Sequence, residues 1–246
     1  MLAELLARAQ RIALDSSLAA AAAASGRAGH DLESEDAAAI AHSASIDQFR
    51  SCVQRMTFSD LRLTCSLESL GLVDPGRPNI RFFEVLEHAA LSISIIVLPA
   101  GTFIPLHDHP GMHAFTKVLA GQLDIEMLDA DHLLPCSAVP LGTLVGVSNQ
   151  RTVVLKAGDF CELTPVAGNI HEVTCSGRET AIMLDVMLPP YPSDDACHYF
   201  AVSDSFAELC VIDEAHAWSD ANSTKKQGTK GKRTSGGGAR AGRRRF

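Results

Sequence analysis

From Ile80 onward the chain reads as a series of short apolar runs broken by Gly, Pro, Asn or Asp, and this pattern limits the fold more than any other feature. The runs are "IRFFEVLEH", "LSISIIVLPA", "HAFTKVLAG", "QLDIEMLD", "TVVLKAGD", "HEVTCSG", "TAIMLDVML" and "CHYFAV". They are rich in β-branched and aromatic residues, and most alternate apolar with polar, which places successive side chains on opposite faces of a strand. Many short strands at close spacing predict an antiparallel sandwich or barrel. No βαβ alternation and no Gly-rich phosphate loop occurs, which argues against a nucleotide-binding α/β domain.

The preceding segment has a different period. Leu2, Leu5, Leu6, Ala9 and Ile12 recur at helical spacing, a polyalanine stretch continues them, and Ser25 and Gly26 break the run. A second helix is predicted over about residues 36–56, and "TFSDLRL" begins a further turn. "VDPGRPN", residues 73–79, is a turn-rich boundary. The expected layout is a helical extension over 1–72, a β domain over 73–217 and a basic tail over 218–246. With 246 residues, 46% of them hydrophobic, the chain is long enough for one sizeable domain with extensions.

Nine Lys and Arg residues and no acids lie from Lys225 to the end, leaving 12 basic against 29 acidic residues before it. This Gly-rich tail has too little apolar surface to offset its ordering entropy and is expected to be disordered. Positive charge attracts phosphate, but the tail has no interleaved aromatics and no folded nucleic-acid module accompanies it, so a nucleic-acid function is not expected. Seven cysteines without regular pairing read as free thiols in a reducing compartment. No apolar run approaches the roughly 20 residues that cross a bilayer, and no signal-peptide pattern opens the chain. Arg8, Arg11 and Arg27 among alanines fit an organelle transit peptide, whereas Glu4 and Asp15 do not. A soluble, monomeric, cytoplasmic protein is expected, with a nuclear location left open.

"PLHDHPGMHAF", residues 105–115, concentrates three histidines. His107 and His109 are one residue apart, so on an extended strand both imidazoles project from one face as half of a chelate for a borderline divalent metal. A third ligand is required. Gly101, His107, His109 and Gly121 resemble the first cupin motif, G(X)5HXH(X)3-4E(X)6G, with Ala114 where that motif places a glutamate. Gly158, Pro165, Gly168 and His171 resemble the second, with Cys175 at its final asparagine position. The resemblance implies a cupin double-stranded β-helix, a jelly-roll-like barrel, with His107, His109 and His171 as metal ligands. Three facial ligands on an octahedral metal leave three positions open. Without the carboxylate the metal keeps more residual positive charge, which favours an anionic donor such as a thiolate.

"IPLHDHPGMHAFTKVLAG", "GNIHEVT" and "DVMLPPYPSDDACHYF" together resemble the family of 2-aminoethanethiol (cysteamine) dioxygenases and plant cysteine oxidases, over about residues 75–202. That resemblance implies an iron(II) enzyme adding both atoms of O2 to the thiol of cysteamine or of an N-terminal cysteine, giving a sulfinic acid. A non-enzymatic metal-binding cupin module and a cupin enzyme acting on a non-thiol small molecule stand as alternatives.

Four further residues are pocket candidates. Asp185, an acid on an apolar strand, needs a buried partner, and the resemblance implies that it lies near the site. Tyr191 either places its hydroxyl in the pocket or caps a sheet edge. Cys197 and Tyr199 share one side of a strand; a buried thiol is ordinarily a small hydrophobe, whereas the resemblance implies that both line the iron site and are candidates for a covalent link. Phe200 stands where relatives commonly carry a second tyrosine, and the arginine often found just before that stretch is missing. His113 is expected beside the ligands or at the surface because "PG" interrupts strand alternation, and His30, His42, His88, His132 and His216 are expected in solvent or capping positions.

Overall fold

A computed structural model describes residues 1–24, 32–63, 65–66, 69–70, 80–193, 196–203 and 207–223. Ser25 and Gly26, "VDPGRPN" and the basic tail from residue 224 lie outside the described residues, as does His30.

Eleven described strands form two antiparallel layers. They are β1 (Arg81–His88), β2 (Leu91–Leu98), β3 (Phe103–His107), β4 (His113–Ala120), β5 (Gln122–Ala130), β6 (Leu144–Lys156), β7 (Phe160–Leu163), β8 (Ile170–Thr174), β9 (Ala181–Leu188), β10 (Tyr199–Val202) and β11 (Glu208–Ile212). One sheet runs β1-β2-β9-β4-β7; the other closes on itself in the order β10-β11-β6-β5-β8-β3. This is the expected cupin double-stranded β-helix.

Alternation assigns each face. In β2, Leu91, Ile93, Ile95 and Val97 face outward, while Ile96 and Leu98 face the lumen between the sheets. In β9 the outward set is Ile182, Leu184, Val186 and Leu188, and Ala181 and Met183 point inward. Both strands are buried on both faces because helices cover the outer one. α1 (Leu2–Ala24) supplies Leu5, Ala9 and Ile12, four and three residues apart, and α2 (Leu32–Arg55) supplies Ile46, Phe49 and Val53 at the same kind of spacing, with Cys52 beside them. Phe49 meets Phe115 of β4 with ring centroids 5.4 Å apart. A 3-10 turn at Phe58–Leu61 follows α2, matching the turn expected in "TFSDLRL".

Arg50 fastens α2 to the sheet. Its guanidinium donates from Nε and Nη2 to both oxygens of Glu162 on β7, the Nη2 bond being 3.0 Å, and also pairs with Asp47. Arg50→Ala is expected to lower unfolding stability by about 1 kcal/mol, since the pair is partly solvated. Urea unfolding checks this, with the m-value unchanged.

β3, β7 and β11 add to the eight runs, and β6 begins at Leu144 rather than near Thr152. The reason is physical: β6 is largely exposed, and its first half reads "LVGVSNQR" without apolar alternation. Its order comes from backbone pairing with β5 and β11. The expected tail start at residue 218 falls inside α3 (Glu214–Ser223), where Ala217 is buried and Trp218 packs against the lumen core.

Candidate metal centre

His107 ends β3, His109 lies two residues beyond the strand, and His171 is the second residue of β8, directly opposite His107. One ligand nitrogen from each lies within 4.8 Å of the others. Ring centroids are 4.2 Å apart for His107 and His171, 5.0 Å for His109 and His171, and 5.1 Å for His107 and His109.

The strand alternation invoked for His107 and His109 ends at His107, so His109 needs another anchor. Asn169 provides it. Its Oδ1 accepts the His109 backbone N–H at 3.0 Å, and its Nδ2 donates to the His109 carbonyl at 2.8 Å and to the Thr164 carbonyl at 2.9 Å. A side-chain amide thus replaces the missing ladder partner.

Each imidazole has Nδ1 against an oxygen. The partners are the Pro105 carbonyl for His107 at 2.8 Å, the Asn169 carbonyl for His171 at 3.2 Å and the Tyr191 hydroxyl for His109 at 2.6 Å. A carbonyl only accepts, so Nδ1 of His107 and His171 carries the proton. The Tyr191 hydroxyl lies 2.5 Å from the Asp108 carbonyl and donates there, so it accepts from His109 Nδ1. All three tautomers therefore leave the Nε2 lone pair for a metal. Burial lowers the pKa of His107, and burial with the neighbouring rings lowers those of His109 and His171 further. The cluster is a set of neutral imidazole donors, which fits a borderline divalent metal. Ala114, at the glutamate position of the motif, is buried in the lumen core and offers no ligand.

The other candidates divide. Tyr191, Cys197 and Tyr199 form a wall: the Tyr191 ring is 5.2 Å from that of His109, the Tyr199 ring is 6.1 Å from that of His107, and Cys197 neighbours both phenols. Burial pushes the Cys197 thiol up to about 11, so it stays protonated at neutral pH. Burial also holds Tyr191 well above the ordinary phenol range. The Tyr199 hydroxyl reaches Glu214 of α3 at 3.4 Å, so the last described helix supports the wall. Asp185 lies on the lumen face of β9, opposite Thr116, whose hydroxyl donates to it at 3.3 Å.

His113 is not brought into the cluster. It faces outward with Phe115, and its Nδ1 pairs with Glu162 at 3.0 Å. His88 accepts the Ala90 N–H at 3.0 Å, a capping role as expected. Sequence reasoning missed Asn169 and the pair Asp108 and His198. The signal for Asn169 is its place two residues before His171 in "GNIH"; Asp108 and His198 carry no local signal beyond their places in "HDH" and "CHYF".

Burial raises the Asp185 pKa to about 6 from the ordinary 3.8, with the Thr116 hydroxyl opposing. The native state then binds more protons than the unfolded state between those values, so this group lowers stability as pH rises from 4 to 6, and the deficit persists above that. The full deficit is about 3 kcal/mol for a shift of about two units. In the metal-free protein, Asp185→Asn is expected to match wild type near pH 4 and to melt at higher temperature near pH 7. Melting scans at the two pH values check this.

Among the described residues, no helix is long and apolar enough to cross a membrane. Comparison with known proteins gives a match to the family model PCO_ADO over residues 52–229. The chain is 30% identical over 176 residues to human 2-aminoethanethiol dioxygenase, covering 64% of this chain and 65% of that protein. It is 34% identical over 142 residues to the mouse 2-aminoethanethiol dioxygenase, with 51% and 55% covered, and 32% identical over 163 residues to plant cysteine oxidase 1 of Arabidopsis thaliana, with 63% and 54% covered. The chain thus spans between about half and two thirds of these relatives' lengths. Among solved structures, a conserved protein with a double-stranded β-helix domain from Klebsiella pneumoniae aligns at 22% identity and a TM-score of 0.36, covering 51% of this chain and 88% of that one.

Proposed function

Because this chain belongs to the PCO_ADO family of 2-aminoethanethiol dioxygenases and plant cysteine oxidases, we propose that it is an iron(II)-dependent thiol dioxygenase. The substrate is a 1,2-aminothiol, either cysteamine or the N-terminal cysteine of a peptide, and the product is its sulfinic acid. The observation that carries this reading is the cluster of three neutral imidazoles with Nε2 free and Ala114 where a carboxylate would stand. His107, His109 and His171 would hold the ion, which supplies a redox-active Lewis acid that acidifies the thiol and allows both atoms of O2 to be added to sulfur.

The remaining roles follow from the residues themselves. A neutral ligand set leaves the positive charge to be balanced by the substrate's thiolate. To Asp185, a buried carboxyl on the lumen face of β9 that titrates near neutrality, we assign the substrate's ammonium group, which would favour its ionised form. Tyr191 keeps its proton and holds His109 in the ligating tautomer. Cys197 remains a thiol and does not compete with the substrate as a thiolate. Tyr199 completes the wall beside His107.

The test is oxygen uptake by the iron-loaded full chain with cysteamine, free cysteine and a peptide beginning with cysteine, with the product identified by mass. A gain of two oxygen atoms on an aminothiol supports the proposal. Absence of uptake with all three thiols overturns it and returns the chain to the metal-binding module or the non-thiol cupin enzyme.

A further inference from the structure

The residue between the first two histidines does more than separate them. Asp108 is 1% exposed, and its partner His198 is 4% exposed. Oδ1 of Asp108 accepts the His198 backbone N–H at 2.8 Å, Oδ2 accepts from ring Nδ1 at 2.9 Å, and the Asp108 N–H donates to the His198 carbonyl at 3.2 Å. The other ring nitrogen, Nε2, faces the Ser137 carbonyl at 2.9 Å. Both ring nitrogens therefore meet oxygens that accept, and the residue is held at four points.

The position of this pair in the fold gives it a role. The ladder between β3 and β10 consists of one pairing, His107 with Tyr199. Asp108 and His198 are each the next residue outward from that pairing, so their contacts continue it after the regular ladder has stopped. Neither side chain joins the cluster of His107, His109 and His171; the two pair with each other, and His198 with the Ser137 carbonyl. One buried pair thus ties the segment carrying two candidate ligands to the segment carrying two wall residues. Through Ser137 it also ties both to the connection between β5 and β6, which touches the same turn again where the Cys136 thiol lies 3.1 Å from the Pro110 carbonyl.

We propose that Asp108 and His198 form a positioning pair that sets the placement of His107 and His109 relative to the Cys197 and Tyr199 wall. Its loss distorts the metal geometry although every ligand remains. The inference rests on the three-histidine metal reading, not on which thiol is oxidised.

The test uses the full chain loaded with cobalt(II), whose ligand-field absorption reports coordination geometry without any turnover. His198→Ala and Asp108→Asn are compared with wild type and with Arg50→Ala, which weakens the fold away from the pair. Wild type and Arg50→Ala are expected to share one spectrum and one cobalt affinity. His198→Ala is expected to shift the bands and bind about 10-fold more weakly, the scale on which outer partners of metal ligands act. Asp108→Asn keeps the Oδ1 acceptor and is expected to shift in the same direction by less. If both variants keep the wild-type spectrum and an affinity within about twofold, well under that scale, the pair only packs and the inference fails. Should His198→Ala not fold, the spectrum of Asp108→Asn decides by the same criterion. Failure of wild type to bind cobalt would instead overturn the metal reading itself, and the pair's role with it.

Discussion

His171→Ala is expected to lose bound iron and thiol oxidation together while the barrel stays folded. His171 is the candidate ligand on the opposite strand, β8, and two imidazoles one residue apart cannot define a facial site alone. Loss of a direct ligand should exceed the roughly 10–100-fold cost of losing an outer partner. The barrel should survive because the β8 backbone pairs with β3 and β5 whatever the side chain, and Ile170 and Val173 keep their core positions. Metal analysis, oxygen uptake and circular dichroism on the same preparation check the three parts. Retention of both metal and activity would show that His171 is not a ligand.

Tyr191→Phe is expected to bind iron about 10–100-fold more weakly and to lose activity on the same scale, because one hydroxyl serves two buried partners. Its oxygen accepts from His109 Nδ1 and its hydrogen goes to the Asp108 carbonyl. Phenylalanine fills the same volume but leaves both groups unpaired, each costing about 1–3 kcal/mol. The protein can recover part of that cost by switching His109 to the tautomer that protonates Nε2, which removes its lone pair from the site. Metal titration separates this from a mere loss of stability: the apparent iron dissociation constant should rise in Tyr191→Phe and stay unchanged in Arg50→Ala.

Legibility in the sequence tracked how local each signal was. β2 and β9 could be read directly, because residues buried on both faces give continuous apolar runs. The first half of β6 could not, since its order depends on backbone bonds to neighbouring strands that composition does not record. The three histidines were legible through motif spacing. His113 was correctly kept apart from them, and the structure supplies the reason: in β4, Ala114 takes the lumen face, so His113 and Phe115 turn toward α2.

The sequence by itself determined the two-layer β architecture, the helical stripes that cover it and the identity of three neutral donors, because periodicity and short spacing are properties of adjacent residues. Only the tertiary structure decided how those donors are held. Asn169 reaches His109 across 60 residues, Tyr191 across 82, and His198 reaches Asp108 across 90. Such contacts depend on which strands close the barrel and in what register, and a one-residue slip would turn each side chain to the opposite face.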